Sequence, residues 1–387
     1  MSAGGPGYSL LVVAGEASGD FHAASLCAEI QARVPGPVQI WGAGGERLQK
    51  LGARLLGLSH QLAAIGPAAA FGQLYHYWAL YRSILSEVGT RRPDAAILVD
   101  FPDFNLPLAR ALRRRGVKPI VYFISPQLWA WRQGRVRRIH NDVDQMIVLL
   151  PFEVDFYRRH GIQARYFGHP LASRKPVERD RSAFARIHGL DQKKIWVAVL
   201  PGSRRREVGA ILPLVLEGAA HLPREEQERL VLVIGAAPGL RARIERIVSE
   251  WNSRLSICVV DGSEQVLANC DYGLVKSGTS TLEAALAGLP LCVVYRVSFW
   301  TWVTAKCLVR TEHYALPNLV LRERAVPELM QWDANPRSVA AVLSSFSRRD
   351  VQWEVVKQRL AGVREKLAAE DPYRDAAASV LQLLGAP

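Results

Sequence analysis

The stretch Lys276-Ser-Gly-Thr-Ser-Thr-Leu-Glu-Ala-Ala-Leu-Ala-Gly-Leu-Pro290 sets small hydroxyl residues directly ahead of a helical pattern. The apolar run Tyr272–Val275 reads as a strand end, and Ser277, Gly278, Thr279 and Ser280 as a tight turn. Residues 281–287 read as a helix stopped by Gly288 and Pro290. Free N–H groups at such a helix start, with hydroxyls beside them, can seat a phosphate. Glu283, one turn in, can accept hydrogen bonds from ribose hydroxyls. The same residues also suit an ordinary strand-to-helix turn whose Ser and Thr only cap the helix. A second anion seat follows the apolar run Ile195–Leu200, in Pro201-Gly-Ser-Arg204. There Gly202 lets the backbone approach a ligand, Ser203 adds a hydroxyl, and Arg204 offers a planar fork to phosphate oxygens.

Acid–base chemistry has a candidate in Asp100, at the carboxyl end of a strand read over residues 94–100. Ligands of open α/β sheets bind beyond the carboxyl ends of strands. Asp103 and Asn105, just before Pro107, read as caps of the next helix. The run Pro126-Gln-Leu-Trp-Ala-Trp-Arg-Gln-Gly-Arg-Val-Arg-Arg138 interleaves two tryptophans with four arginines. It suits a nucleic-acid stripe, a grip on a phosphorylated and partly apolar ligand, or packed tryptophans under a solvated basic face. Asp142-Val-Asp144 has the D-x-D form of metal-dependent sugar transferases but precedes a strand, so it reads as capping or solvated. The nine histidines lack ligand spacing. No metal and no cofactor is therefore expected.

These residues need a scaffold, and the chain supplies alternating strand and helix patterns. Tyr8–Ala14 runs into Gly15-Glu-Ala-Ser-Gly-Asp20 and a helix over residues 21–33; the glycine spacing is not the dinucleotide fingerprint. Val38–Trp41 with Gly42-Ala-Gly-Gly45 repeats the unit. Strands follow at 120–125, 145–150, 231–234, 257–260 and 291–295. Alternation of this kind predicts parallel, doubly wound sheets. The charged stretch Arg174–Arg181 reads as a linker between two α/β halves facing a cleft. The expected domains are 1–172, 173–369, and a final segment 370–387 whose helix, over about 374–384, crosses back to the first. Residues 63–88 break the pattern. Phe71, Leu74, Tyr75, Trp78, Tyr81, Leu85 and Val88 fall at helical spacing, and Tyr77, Leu80 and Ile84 widen the stripe. It fits either a buried core helix or a surface that contacts lipid, where Tyr and Trp are at home.

Lysine plus arginine number 49 against 36 acidic residues, a net charge of +13 that favours anionic partners. The five scattered cysteines (Cys27, Cys258, Cys270, Cys292, Cys307) make no disulfide framework, which points to a reducing compartment. No apolar run approaches the ~18 residues of a membrane span, and the start of the chain lacks a signal-peptide pattern. The expectation is a cytoplasmic protein able to bind a membrane surface.

Taken together, several stretches resemble the lipid A disaccharide synthases, glycosyltransferases of the GT-B fold. They are Gly15-Glu-Ala-Ser-Gly-Asp20, Asp100-Phe-Pro-Asp-Phe-Asn105, Ser125-Pro-Gln-Leu-Trp-Ala-Trp-Arg132, Leu150-Pro-Phe-Glu153, Gly168-His169, Leu200-Pro-Gly-Ser-Arg204, Ser277-Gly-Thr-Ser-Thr-Leu-Glu283 and Leu316-Pro-Asn318, in order along most of the chain. The resemblance implies a reaction in which UDP-2,3-diacylglucosamine and 2,3-diacylglucosamine 1-phosphate give a β-1,6 disaccharide and UDP. It implies Asp100 as catalytic residue, and Gly202, Ser203, Arg204, Ser277, Gly278, Thr279, Glu283 and Asn318 around the donor in the second half. Glu16, Ser18, Gln127, Trp129 and Arg132 would face the acceptor in the first. It further implies peripheral binding to the inner membrane surface, no nucleic-acid partner, and a homodimer as one open state. Lys276 and Arg322-Glu-Arg324 depart from the family pattern. Two rivals stay open: a UDP-sugar epimerase of the same fold, and a nucleic-acid-binding module.

Overall fold

The computed structural model describes residues 7–58, 70–129, 133–251, 254–298, 302 and 311–385. It divides into two compact units, Met1–Ser173 with Ala369–Pro387, and Arg174–Ala368.

The first unit is built on a parallel sheet of β1 (Tyr8–Ala14), β2 (Val38–Gly44), β3 (Arg54–Leu58), β4 (Ala95–Val99), β5 (Ile120–Phe123), β6 (Gln145–Val148) and β7 (Ala164–Tyr166). Their spatial order is β3-β2-β1-β4-β5-β6-β7. β4 is buried along its whole length and β1 from Leu10 onward, as apolar runs covered on both faces must be. The two-residue period sorts them: Leu11, Val13, Ala96 and Leu98 enter one core, and Leu10, Val12, Ala14, Ala95, Ile97 and Val99 the other. Helices Ala70–Arg91 and Pro102–Arg114 cover the first face through Leu80, Ile84, Val88, Leu108 and Leu112. Helix Ala17–Arg33 covers the second. It shares that work with the chain's last helix, Pro372–Leu383, through Ala376, Ala377, Val380 and Leu381.

The second unit repeats the plan with β8 (Ile195–Leu200), β9 (Leu230–Ala236), β10 (Ser256–Asp261), β11 (Tyr272–Lys276), β12 (Leu291–Tyr295) and β13 (Glu328–Met330), ordered β10-β9-β8-β11-β12-β13. The strand order therefore reverses once in each sheet, between β1 and β4 and between β8 and β11. These are the topological switch points, where loops diverge beyond the strands' carboxyl ends and leave a crevice.

The structure revises several local expectations. The first helix begins at Ala17, four residues earlier than its apolar pattern, and the helix after β11 begins at Thr279 rather than 281. β3, β7 and β13 carry no clear sequence signal because they are short edge strands. The aromatic stripe divides. Leu80, Ile84 and Val88 are core and Tyr77, Tyr81 and Leu85 pack against it, whereas Tyr75 and Trp78 stand 67% and 55% exposed. Residues 63–69, and the side chains of Phe71 and Leu74, lie outside what is described. Cys27, Cys258, Cys270 and Cys292 are free thiols, and Cys307 lies outside the described residues. Among the described residues no helix is long and apolar enough to cross a membrane.

Candidate functional site

Asp100 follows β4 at the first switch point, and its backbone is bent to place it there. Asp100 and Phe101 are consecutive left-handed residues, with φ of 46° and 51°. Each such residue costs about 1–3 kcal/mol unless its surroundings hold it. The Asp100 N–H donates to the Phe123 carbonyl (3.0 Å). Its carbonyl accepts from the Tyr122 hydroxyl (2.6 Å) and the Asn105 amide (2.8 Å). The Phe101 ring stacks on Phe104 at 5.5 Å and lies over Gly15, where a Cβ would stand 2.3 Å from the ring. Any side chain at position 15 would thus expel Phe101 and undo the bend. Tyr77 packs on both rings, at 5.5 and 6.1 Å, so part of the aromatic stripe supports this bend.

Burial, then the charge of Glu16, push the Asp100 carboxyl from the ordinary 3.8 up to about 6. Such a group is a carboxylate at neutral pH yet a better proton acceptor than a solvated aspartate. Glu16 is exposed at the N-cap of helix Ala17–Arg33, and Ser18 is exposed in its first turn. Asp100 opens onto a pocket of about 240 Å³ lined also by Asp103, Ser125, Gln127, Leu128 and Arg135. Helix Pro102–Arg114 starts ahead of Asp103 and Asn105, so neither stands at its N-cap, which is Phe101. Asp103 is ion-paired with Arg135 at 2.7 Å, and buried Asn105 donates to the carbonyls of Val99 and Asp100, stitching the strand end.

Gln127 is exposed, and Trp129 is half-buried with its indole N–H donating to Glu153 at 3.1 Å. Glu153 is a residue that sequence reasoning left without a role. Only 3% exposed, it also accepts from Ser125 Oγ (2.6 Å) and the Leu150 N–H (3.0 Å), tying the Ser125–Trp129 segment beside the pocket to helix Pro151–Arg159. Burial raises its carboxyl to about 7, with the hydrogen bonds from Ser125, Leu150 and Trp129 opposing. Its sequence signal was the glutamate three residues into a helix opened by Leu150-Pro151. Trp131 and Arg132 lie outside the described residues. Asp144 pairs with Arg113 at 2.8 Å and accepts from the Ile120 N–H (2.7 Å), a structural role. Among the described residues no cluster of His, Cys, Asp or Glu could hold a metal.

At the second switch point Leu200 of β8 is in register with Val275 of β11, so the turns Pro201–Arg204 and Ser277–Thr279 leave the sheet side by side. Gly202 takes φ +117° and Gly278 +151°, values that favour glycine. The Arg204 side chain is 69% exposed. The backbone N–H groups of Ser203 and Arg204, however, donate to the Glu207 carboxylate at 3.0 and 3.2 Å. They are already engaged within the protein, contrary to the expectation that these amides await an anion. Ser277 Oγ donates to the Tyr314 carbonyl (3.1 Å), whereas Thr279 is exposed at the start of helix Thr279–Leu286. Glu283, half-buried on that helix, has its carboxyl raised by burial, against the opposing charge of Arg174. Asn318 is fully buried. Its amide accepts from the Val326 N–H (2.8 Å) and donates to the Val326 carbonyl (3.0 Å) and to Glu328 (2.8 Å). Both ends of the Asn318 amide are therefore used inside the fold.

Two doubly wound parallel sheets, each with one topological switch point, are the architecture of the GT-B class. Solved structures share this architecture along nearly the whole chain. Acinetobacter baumannii MurG matches with a TM-score of 0.59 at 11% identity, covering 98% of this chain and 99% of its own. UDP-GlcNAc 2-epimerase from Neisseria meningitidis, bound to UDP-GlcNAc, matches with a TM-score of 0.64 at 11% identity, covering 97% and 100%. At such identities the likeness is one of fold, and it does not favour the epimerase reading. Sequence decides the family. The model for Lipid-A-disaccharide synthetase matches residues 10–378. A lipid-A-disaccharide synthase from Koribacter versatilis is 37% identical over 379 residues, covering 97% of this chain and 98% of its own. Another from Myxococcus xanthus is 39% identical over 377 residues, covering 97% of each. The chain belongs to the lipid-A-disaccharide synthase family and is a glycosyltransferase.

Proposed function

We propose that this enzyme joins UDP-2,3-diacylglucosamine to 2,3-diacylglucosamine 1-phosphate. The 6-hydroxyl oxygen of the acceptor attacks the anomeric carbon of the donor. The carbon–oxygen bond to the diphosphate breaks as the new one forms, and UDP carries away the electron pair. Asp100 takes the hydroxyl proton. The unit that contains Asp100 binds the acceptor, with Glu16, Ser18, Gln127, Trp129 and Arg132 about it. The unit 174–368 binds the donor, with Arg204 at the diphosphate, the start of helix Thr279–Leu286 beside it, and Glu283 on the ribose. Charge-assisted bonds that strengthen as the diphosphate leaves are worth roughly 1.5–3 kcal/mol each and lower the barrier without a metal.

The observation that carries this reading is Asp100, a half-buried carboxyl raised to about 6 and held at a switch point beside a pocket. Both substrates carry acyl chains, and burying about ten methylenes is worth about 8 kcal/mol. They stay in the bilayer, so the enzyme works at the cytoplasmic surface of the inner membrane. Incubation with the two substrates should give the disaccharide 1-phosphate by mass analysis. Asp100→Asn should lower its rate by about 10²–10⁴-fold with UDP binding and melting temperature nearly intact. A folded variant with appreciable turnover would remove Asp100 from the chemistry.

A further inference from the structure

Glu207 stands in the first turn of helix Arg205–Ala220, and its carboxylate serves both turns of the second switch point. Oε2 accepts the N–H groups of Ser203 and Arg204, and Oε1 lies 3.0 Å from Nζ of Lys276. The first turn is moulded on this carboxylate: a Cβ at Gly202 would sit 2.5 Å from Oε2. Lys276 is the last residue of β11, directly ahead of Ser277-Gly-Thr279, and its side chain is 19% exposed. Its ammonium lies 3.6 Å from where a Cβ of Gly278 would stand and 5.6 Å from the centroid of the Tyr295 ring. One cation therefore spans from the Pro201–Arg204 turn to the Ser277–Thr279 turn.

A diphosphate arriving here finds the first turn's amides taken. Displacing Glu207 from them would strand a largely buried carboxylate, which is costly. An ammonium has three N–H donors, and the bond to Glu207 uses one of them. Lys276 can thus bind phosphate oxygens while keeping its partner.

We infer that Lys276 binds the diphosphate of the donor nucleotide, and that Glu207 is the positioning residue that holds its ammonium between the two turns. The inference rests on the reading of this unit as the UDP-sugar unit. It is tested by titrating UDP and uridine into the wild type, Lys276→Met, Lys276→Arg, Glu207→Gln and the Lys276→Met/Glu207→Gln double variant, with thermal melts on each. Lys276→Met should weaken UDP about tenfold or more, about 1.4 kcal/mol, and leave uridine unchanged. Lys276→Arg should keep most of the UDP affinity. Glu207→Gln should weaken UDP alone but add little in the double variant, because both changes remove one contact. Should Lys276→Met melt below the assay temperature, Lys276→Gln carries the same expectation. A folded Lys276→Met protein that binds UDP like the wild type overturns the inference, as does an equal loss of uridine. Full additivity in the double variant overturns the role of Glu207. A wild type that binds neither ligand overturns the donor reading itself. UDP binding that Arg204→Ala weakens but Lys276→Met does not overturns only the inference.

Discussion

At Asp100 a left-handed backbone and a raised carboxyl coincide, and the two have separate origins. The carboxyl is raised first by burial and then by Glu16, so the base form exists above about pH 6 and is lost as pH falls through that value. The acid limb of kcat/KM is expected near pH 6. Glu16→Gln removes the neighbouring charge and should move that limb to lower pH, though not to the ordinary 3.8, because burial is the larger cause. A limb that stays fixed or rises would show that Glu16 does not act on Asp100. The backbone bend depends on Gly15. Gly15→Ala puts a methyl 2.3 Å from the Phe101 ring and should cost about 1–3 kcal/mol of stability. Activity should fall by more than that loss of folded protein explains, as single-turnover rates per folded molecule will show. The place of Asp100 directly beyond β4 was legible from the apolar strand run before it. The role of Gly15 was not, because its reason is an aromatic ring far along the chain. The internal bonding of Asn318 was not legible either: its amide is used by Val326 and Glu328, which nothing in the Leu316-Pro-Asn318 motif announces.

Among elements, the inner strands were the most legible, since parallel strands covered on both faces must be continuous apolar runs. Helix Ala70–Arg91 was ambiguous because its aromatics serve two purposes. Tyr77 and Tyr81 pack toward the Phe101–Phe104 pair, and Tyr75 and Trp78 face outward. Spacing alone cannot separate the two, for both sets fall on a wide stripe. Helix Pro372–Leu383 is tied to the first unit by Ala376, Ala377, Val380 and Leu381, by Ser379 with Gln145 and Arg165, and by the Tyr373 hydroxyl with His22 at 2.7 Å. Fully burying a valine or leucine is worth about 1.5–3 kcal/mol, so removing residues 370–387 should cost on the order of 5 kcal/mol. The truncated chain should melt many degrees lower and bind an apolar dye on the face of helix Ala17–Arg33. A melt within a degree or two of the full chain would show that this helix is an accessory.

For the molecule as a whole, the net charge of +13 and the two exposed aromatics of helix Ala70–Arg91, Tyr75 and Trp78, define the membrane expectation. Tyr75→Ser/Trp78→Ser should lower flotation with anionic vesicles and leave the melt unchanged, because neither side chain is core. Leu80→Ser or Ile84→Ser, in the same helix, should instead destabilise the fold by several kcal/mol. Unchanged flotation in the folded double variant would place the membrane contact elsewhere.

The order in which the chain is made gives the discontinuous first unit a further meaning. Its sheet strands emerge from the ribosome first, but the helix that seals Ala23, Ala24 and Cys27 is translated only after the entire second unit. At ~5–20 residues per second, that leaves the apolar face of helix Ala17–Arg33 open for some tens of seconds. A nascent chaperone has a defined surface to hold through that interval. A chain broken off anywhere before Pro372 lacks the helix that covers this surface, and should be cleaved by proteases faster than the full chain.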